Sequence, residues 1–145
     1  MSLWVCVDAS VLLKLVVAEP DSDLADALWR SWIRERKLPV APPLLPFEIT
    51  SVLRKHVYRG TLHLEEGREA LTKALSFDVM IVRPPRLHRA AWDMATRLNL
   101  PAAYDAYYLA LAEMLGCEFW TADKKLCNTV KDSLPWVKFL GEYQP

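Results

Sequence analysis

The chain has 145 residues, 52 % of them hydrophobic and six of them Trp, enough to bury one substantial core and too apolar for an intrinsically disordered chain. Its 18 basic and 18 acidic side chains cancel, which excludes a protein that grips nucleic acid over a wide basic surface and leaves room for a local groove. The three cysteines, Cys6, Cys117 and Cys127, form no CxxC pair and no zinc spacing with the histidines, and their odd number fits a reducing compartment.

Leu3 to Val7 is a continuous run of apolar strand formers, the pattern of a strand buried on both faces of a parallel sheet. It ends in Asp8-Ala9-Ser10 and opens at once onto an apolar helix, Val11 to Val17. The C-terminal end of such a strand is where α/β sheets place ligands, so Asp8 is a candidate site residue, although Asp8 or Ser10 also suits a helix cap. A turn at Glu19 to Ser22 leads into an amphipathic helix, Asp23 to Lys37, whose late charge run is a solvated face. Leu38 to Ala41 reads as a short strand, and Pro42-Pro43 then aims the chain into a helix from Pro46 to Tyr58. Glu48 stands near that helix start, where the helix dipole favours an acid, and Lys55 lies two turns on at nearly the same angle.

Gly60 closes that helix. Glu65 to Phe77 forms the next one, Met80 to Val82 a strand, and Leu87 to Leu98 a further helix broken by Asn99-Leu100-Pro101. The helix that follows has Asp105 in its first turn and an apolar face of Tyr108, Leu109, Leu111, Ala112 and Leu115, ending at Gly116. Cys117 to Thr121 returns as a strand. A helix from Asp105 to Gly116 covers roughly 17 Å at about 1.5 Å per residue. A strand through Ala122 covers roughly the same distance back at about 3.3 Å per residue. Asp123 therefore returns to the edge that holds Asp105. A short helix to Val130 and a strand from Trp136 to Leu140 finish the chain.

Short strands alternating with helices predict an α/β fold: an α/β/α sandwich around a short, mainly parallel, Rossmann-like sheet, with residues 1–145 in one domain. No apolar run approaches the ~20 residues of a membrane span and no leader pattern precedes the first strand, so a cytoplasmic protein with no membrane partner is expected. Asp8, Glu48, Asp105 and Asp123 then share one edge. Two carboxylates ~5 Å apart repel by roughly 3 kcal/mol at an effective dielectric near 20, and a hard cation relieves that cost. All-oxygen donors point to Mg²⁺ or Mn²⁺, and such an ion suits hydrolysis of a phosphodiester.

The pattern Val-Cys-Val-Asp8-Ala-Ser10, Pro42-Pro43, Glu48 with Leu53-Arg54-Lys55, Tyr104-Asp105-Ala106 and Thr121-Ala122-Asp123 resembles the PIN-domain ribonucleases, and among them the VapC-type toxins of toxin–antitoxin pairs. The resemblance runs the length of the chain, and four motifs in register carry it where none would alone. It implies a metal-dependent endoribonuclease whose Mg²⁺ or Mn²⁺ site is built from Asp8, Glu48, Asp105 and Asp123, supported by the hydroxyls of Ser10 and Thr121. It also implies an RNA substrate, a homodimer and a cognate antitoxin that inserts a segment near the site. Arg54, Lys55, Lys124 and Lys125 are candidates to hold flanking phosphates, and Tyr104 to stack a base. Tyr107 and Tyr108 read instead as packing residues. The competing expectations are a catalytically silent PIN-fold module that binds RNA or protein, and an aspartyl-nucleophile phosphatase, which wants an acid where Ser10 stands.

Overall fold

A computed structural model describes residues 2–145. Five strands, β1 (Trp4–Val7), β2 (Leu38–Ala41), β3 (Met80–Ile81), β4 (Glu118–Thr121) and β5 (Val137–Phe139), form one sheet in the order β3-β2-β1-β4-β5. Every pairing is parallel, with Cys6 opposite Val40 on one side and Phe119 on the other. Seven helices connect and cover the strands: α1 (Ala9–Val16), α2 (Ser22–Arg34), α3 (Leu44–Tyr58), α4 (Leu64–Ser76), α5 (Leu87–Arg97), α6 (Tyr104–Leu115) and α7 (Lys124–Val130). The architecture is the α/β/α sandwich expected from the alternation of elements.

β1 lies at the centre, and Val5, Cys6 and Val7 are all buried, as a strand covered on both faces requires. α1 gathers α2, α3 and α4 around it, while α5 and α6 pack on each other and α6 lies against β1 and β4. The largest fully buried side chains, among them Tyr108, Phe119, Leu12, Ile49 and Leu109, come from both groups of helices and from the sheet, giving one core.

Helix starts depart from the expected places for identifiable reasons. α3 begins at Leu44, two residues ahead of Pro46, because Pro42-Pro43 already turns the chain and a proline in the first turn lacks only an N–H that has no intrahelical partner there. Glu48 consequently sits in the second turn, where the helix dipole gives little reason for an acid. α2 starts at Ser22 with no side-chain cap: Asp21 occupies the cap position at φ 70° without a cap bond, and Ser22 bonds Val17 and Glu19 instead. α6 ends at Gly116, whose φ of 63° lets it close the helix in the left-handed region.

Candidate metal centre

The strand order reverses beside β1: β2 lies on one side of it and β4 on the other, so the loops leaving β1 and β4 diverge. Open α/β sheets bind ligands in the crevice that such a divergence leaves at the C-terminal edge. A cleft of about 390 Å³ occupies that place, and Asp8, Glu48, Asp105 and Asp123 all line it, together with Ser10 and Tyr108. The four acids arrive from four separate elements. Asp8 follows β1, Glu48 comes from α3, Asp105 from the first turn of α6, and Asp123 from the turn between β4 and α7.

Asp8 is the most constrained of them. It caps α1, its Oδ1 accepting from the Val11 N–H at 3.4 Å and from the Ser10 hydroxyl at 2.5 Å. Its Oδ2 accepts from the Thr121 hydroxyl at 2.5 Å. Thr121 is itself wholly buried and accepts from the Asp123 N–H at 3.1 Å, while Ser10 Oγ accepts from the Ala122 N–H at 2.8 Å. Two hydroxyls thus bolt the β1 end to the β4 end and leave the Asp8 carboxylate in a fixed orientation. Asp123 caps α7 through the Leu126 N–H at 3.1 Å. Capping and cleft lining are the same act for both residues: the side-chain oxygen that holds the helix start also fixes where the carboxylate points.

Glu48 is held by a residue that the sequence pattern assigns to the core. The Tyr108 hydroxyl, buried with the rest of that side chain, donates to Glu48 Oε1 at 2.5 Å. Helical spacing does place Tyr108 on the buried face of α6. What joins it to Glu48 is the approach of α3, sixty residues earlier in sequence, which leaves no local signature.

Burial and mutual repulsion push these acids upward. Burial raises the Asp8 carboxyl from 3.8 to about 7; the Ser10, Thr121 and Val11 hydrogen bonds oppose that, and the charge of Glu48 adds to it. Glu48 is raised by burial, against the Tyr108 hydrogen bond and with help from Asp105; Asp105 is raised by its place in the cleft wall and by Asp123. Neighbouring acids therefore feel one another in sequence around the cleft. Lys14 lines the same cleft but is committed to Glu19, at 3.4 Å, and to the Pro20 carbonyl, at 2.9 Å.

The donor set fits a hard divalent cation: carboxylates and hydroxyls, an excess of negative charge, and no thiolate. Among the described residues no three His, Cys, Asp or Glu side chains converge on a preformed ion cage.

The other expected contacts are spread more widely. Lys124 and Lys125 are exposed at the start of α7, next to Asp123. Lys55 is exposed on α3 and does not line the carboxylate cleft. Arg54 lines a groove between α3 and α4, its guanidinium 5.9 Å from the Tyr58 ring centre, away from the acids. Tyr104 is exposed and lines a neighbouring apolar cleft.

The PIN domain family model matches residues 5–132, a span that contains all four acids. The chain belongs to the PIN-domain family. It is 34 % identical over 131 residues to a VapC ribonuclease of Mycobacterium bovis, covering 90 % of this chain and 94 % of that one, which places it with the VapC-type members. A crystal structure from Pyrobaculum aerophilum superposes with a TM-score of 0.63 at 28 % identity, over 86 % of this chain and 78 % of that one. The toxin–antitoxin complex from Klebsiella pneumoniae shares the fold, with a TM-score of 0.66 at 14 % identity over 97 % of this chain and 99 % of that one. In this PIN domain the carboxylate cleft thus lies at the strand-order reversal of a fold held across relatives of low identity.

Proposed function

We propose that this VapC-type PIN domain is a metal-dependent endoribonuclease, the toxin of a toxin–antitoxin pair, with Asp8, Glu48, Asp105 and Asp123 holding Mg²⁺ or Mn²⁺. The observation that carries the proposal is the convergence of four carboxylates, from four elements, on one cleft at the ligand-binding edge of the sheet. Ribonuclease is the activity named for the Mycobacterium bovis relative.

An ion held by these acids supplies charge neutralisation at the scissile phosphate and a more acidic water near neutral pH. The rest falls to the chain. Ser10 and Thr121 hold Asp8, and Tyr108 holds Glu48, so the donors need little reorganisation. Lys124 and Lys125 stand beside Asp123 at the mouth, where they pair with flanking phosphates. Water attacks phosphorus, a P–O bond forms, the bond to the ribose 3′-oxygen breaks, and that oxygen takes up a proton. The products carry a 5′-phosphate and a 3′-hydroxyl. A cognate antitoxin and a homodimeric state belong to the same proposal.

The test is cleavage of a mixed RNA pool with Mg²⁺ or Mn²⁺ and with chelator, the new ends mapped for 5′-phosphates. Asp8→Ala and Asp105→Ala should lose cleavage while keeping the native circular dichroism spectrum. Cleavage that persists in chelator, or in either variant, rejects the proposal.

A further inference from the structure

Phe47 and Tyr104 each immediately precede a cleft carboxylate, Glu48 and Asp105, and both rings face water, with 73 % and 65 % of their surface exposed. Neither joins the packed core. With Tyr107, His88, Leu87 and Arg83 they line a second open cleft, about 290 Å³ in volume, beside the one that Glu48, Asp105 and Tyr108 line. Its wall is built to keep its shape: the Tyr107 hydroxyl and His88 Nδ1 share a hydrogen bond of 2.7 Å, and their rings meet edge to face at 5.5 Å. Arg83 is the one permanently charged side chain lining it, and it makes no ion pair among the described residues.

A ligand for this cleft must offer a flat apolar face to two rings and an anion to Arg83. It must also continue into a neighbouring cleft lined by acids. A nucleotide within a single strand has that combination, a base and a phosphate on one short unit with the next phosphate following. A duplex does not offer it, because its base faces are stacked away. The apolar face of a second protein copy would use the rings but would leave Arg83 unpaired and bring apolar surface up against the acids.

Resting on the ribonuclease reading above, we propose that this cleft is a base subsite, holding the unpaired nucleobase next to the scissile phosphate against Phe47 and Tyr104, with Arg83 on that nucleotide's outer phosphate. It restricts the substrate to RNA that is single-stranded at that nucleotide.

The test uses a short single-stranded oligoribonucleotide that the native protein cuts, and the same oligomer with an abasic ribose beside the cleavage position. Binding is read by fluorescence anisotropy in chelator, so that the RNA stays intact, and kcat/KM separately with Mn²⁺. Phe47→Ala and Tyr104→Ala should each weaken binding roughly 5- to 150-fold, the range for losing one stacked base. Phe47→Trp should retain it. The abasic oligomer should lose a similar factor with the native protein and nothing more with the doubly substituted one. Equal abasic losses in native and double variant would place the base elsewhere and overturn the subsite alone. Unchanged RNA affinity with loss of a dimer in sedimentation would make the cleft an interface between copies, again overturning it. Native protein that neither binds nor cuts RNA overturns the ribonuclease reading, and the subsite with it.

Discussion

Burying Asp8 as an anion costs the ion-free protein stability, so Asp8→Asn should make that protein more stable while abolishing ion binding. Burial raises the Asp8 carboxyl from 3.8 to about 7, roughly three pH units, and each unit corresponds to about 1.4 kcal/mol. The sign follows from the direction: a raised carboxylate favours folding fully below its unfolded value near 3.8 and loses that contribution as pH climbs through about 7. Above pH 7 the native chain therefore forgoes up to about 4 kcal/mol. An amide fits the same place. Its oxygen accepts from Ser10 and Val11, its NH₂ donates to Thr121 Oγ1, and the Thr121 proton turns to Ser10 Oγ, 3.2 Å away. Weaker neutral hydrogen bonds take back about half of the gain, leaving about 2 kcal/mol. For a domain of this size that is a rise of about 6 °C in the unfolding midpoint at pH 8 in chelator. The gap should shrink steadily below pH 7, close between about pH 5 and 6, and reverse at lower pH, where the native carboxyl is protonated. Asp8→Asn no more stable than native at pH 8, or a gap unchanged between pH 8 and pH 5, would refute the reasoning.

Other substitutions separate positioning from packing. Tyr108→Phe keeps the buried ring but removes the bond to Glu48, so Mn²⁺ affinity, followed by titration calorimetry, should fall about 10-fold with the fold retained. Thr121→Val leaves Asp8 Oδ2 and the Asp123 N–H without their partner, and urea unfolding should show a loss of about 2 kcal/mol at neutral pH. Gly67→Ala would put a Cβ 2.5 Å from Val57 Cγ2 where α4 packs on α3, with a loss of about 1–3 kcal/mol by the same assay and no change in ion affinity.

The fold, and the place of Asp8, Asp105 and Asp123 on one edge, were legible because each rests on a local rule; Glu48 was not, since its helix starts two residues early and leaves it in the second turn, where no local rule asks for an acid. The apolar run at Leu3 to Val7 announces a doubly covered strand, and strand and helix rises alone return Asp123 to the edge of Asp105. Asp8 and Asp123 illustrate why capping a helix and lining the cleft are not rivals: one carboxylate does both, since the cap fixes its direction. Tyr108 was not legible. A buried tyrosine on a helical stripe looks the same whether its hydroxyl meets water or, as here, a glutamate from a distant helix. Arg54 shows the converse. Six residues from Glu48 it looks like a partner for a phosphate, yet the turn of α3 carries it into the α4 groove. The Phe47 and Tyr104 cleft needed the loop after β3 and the start of α5, which contribute Arg83 and His88 and have no sequence link to either ring.

Thermal unfolding with and without Mn²⁺ tests, without any choice of RNA, whether the four acids assemble one ion site. The native protein, Asp8→Asn and Asp105→Asn should be compared at pH 8. At a hundredfold excess over the dissociation constant, the ion should stabilise the native protein by about 2.7 kcal/mol, or roughly 5–10 °C. Both variants should lose that rise, Asp8→Asn from its higher ion-free midpoint. A native protein that gains nothing from Mn²⁺, or variants that gain as much, would contradict the account and leave the acids as helix caps.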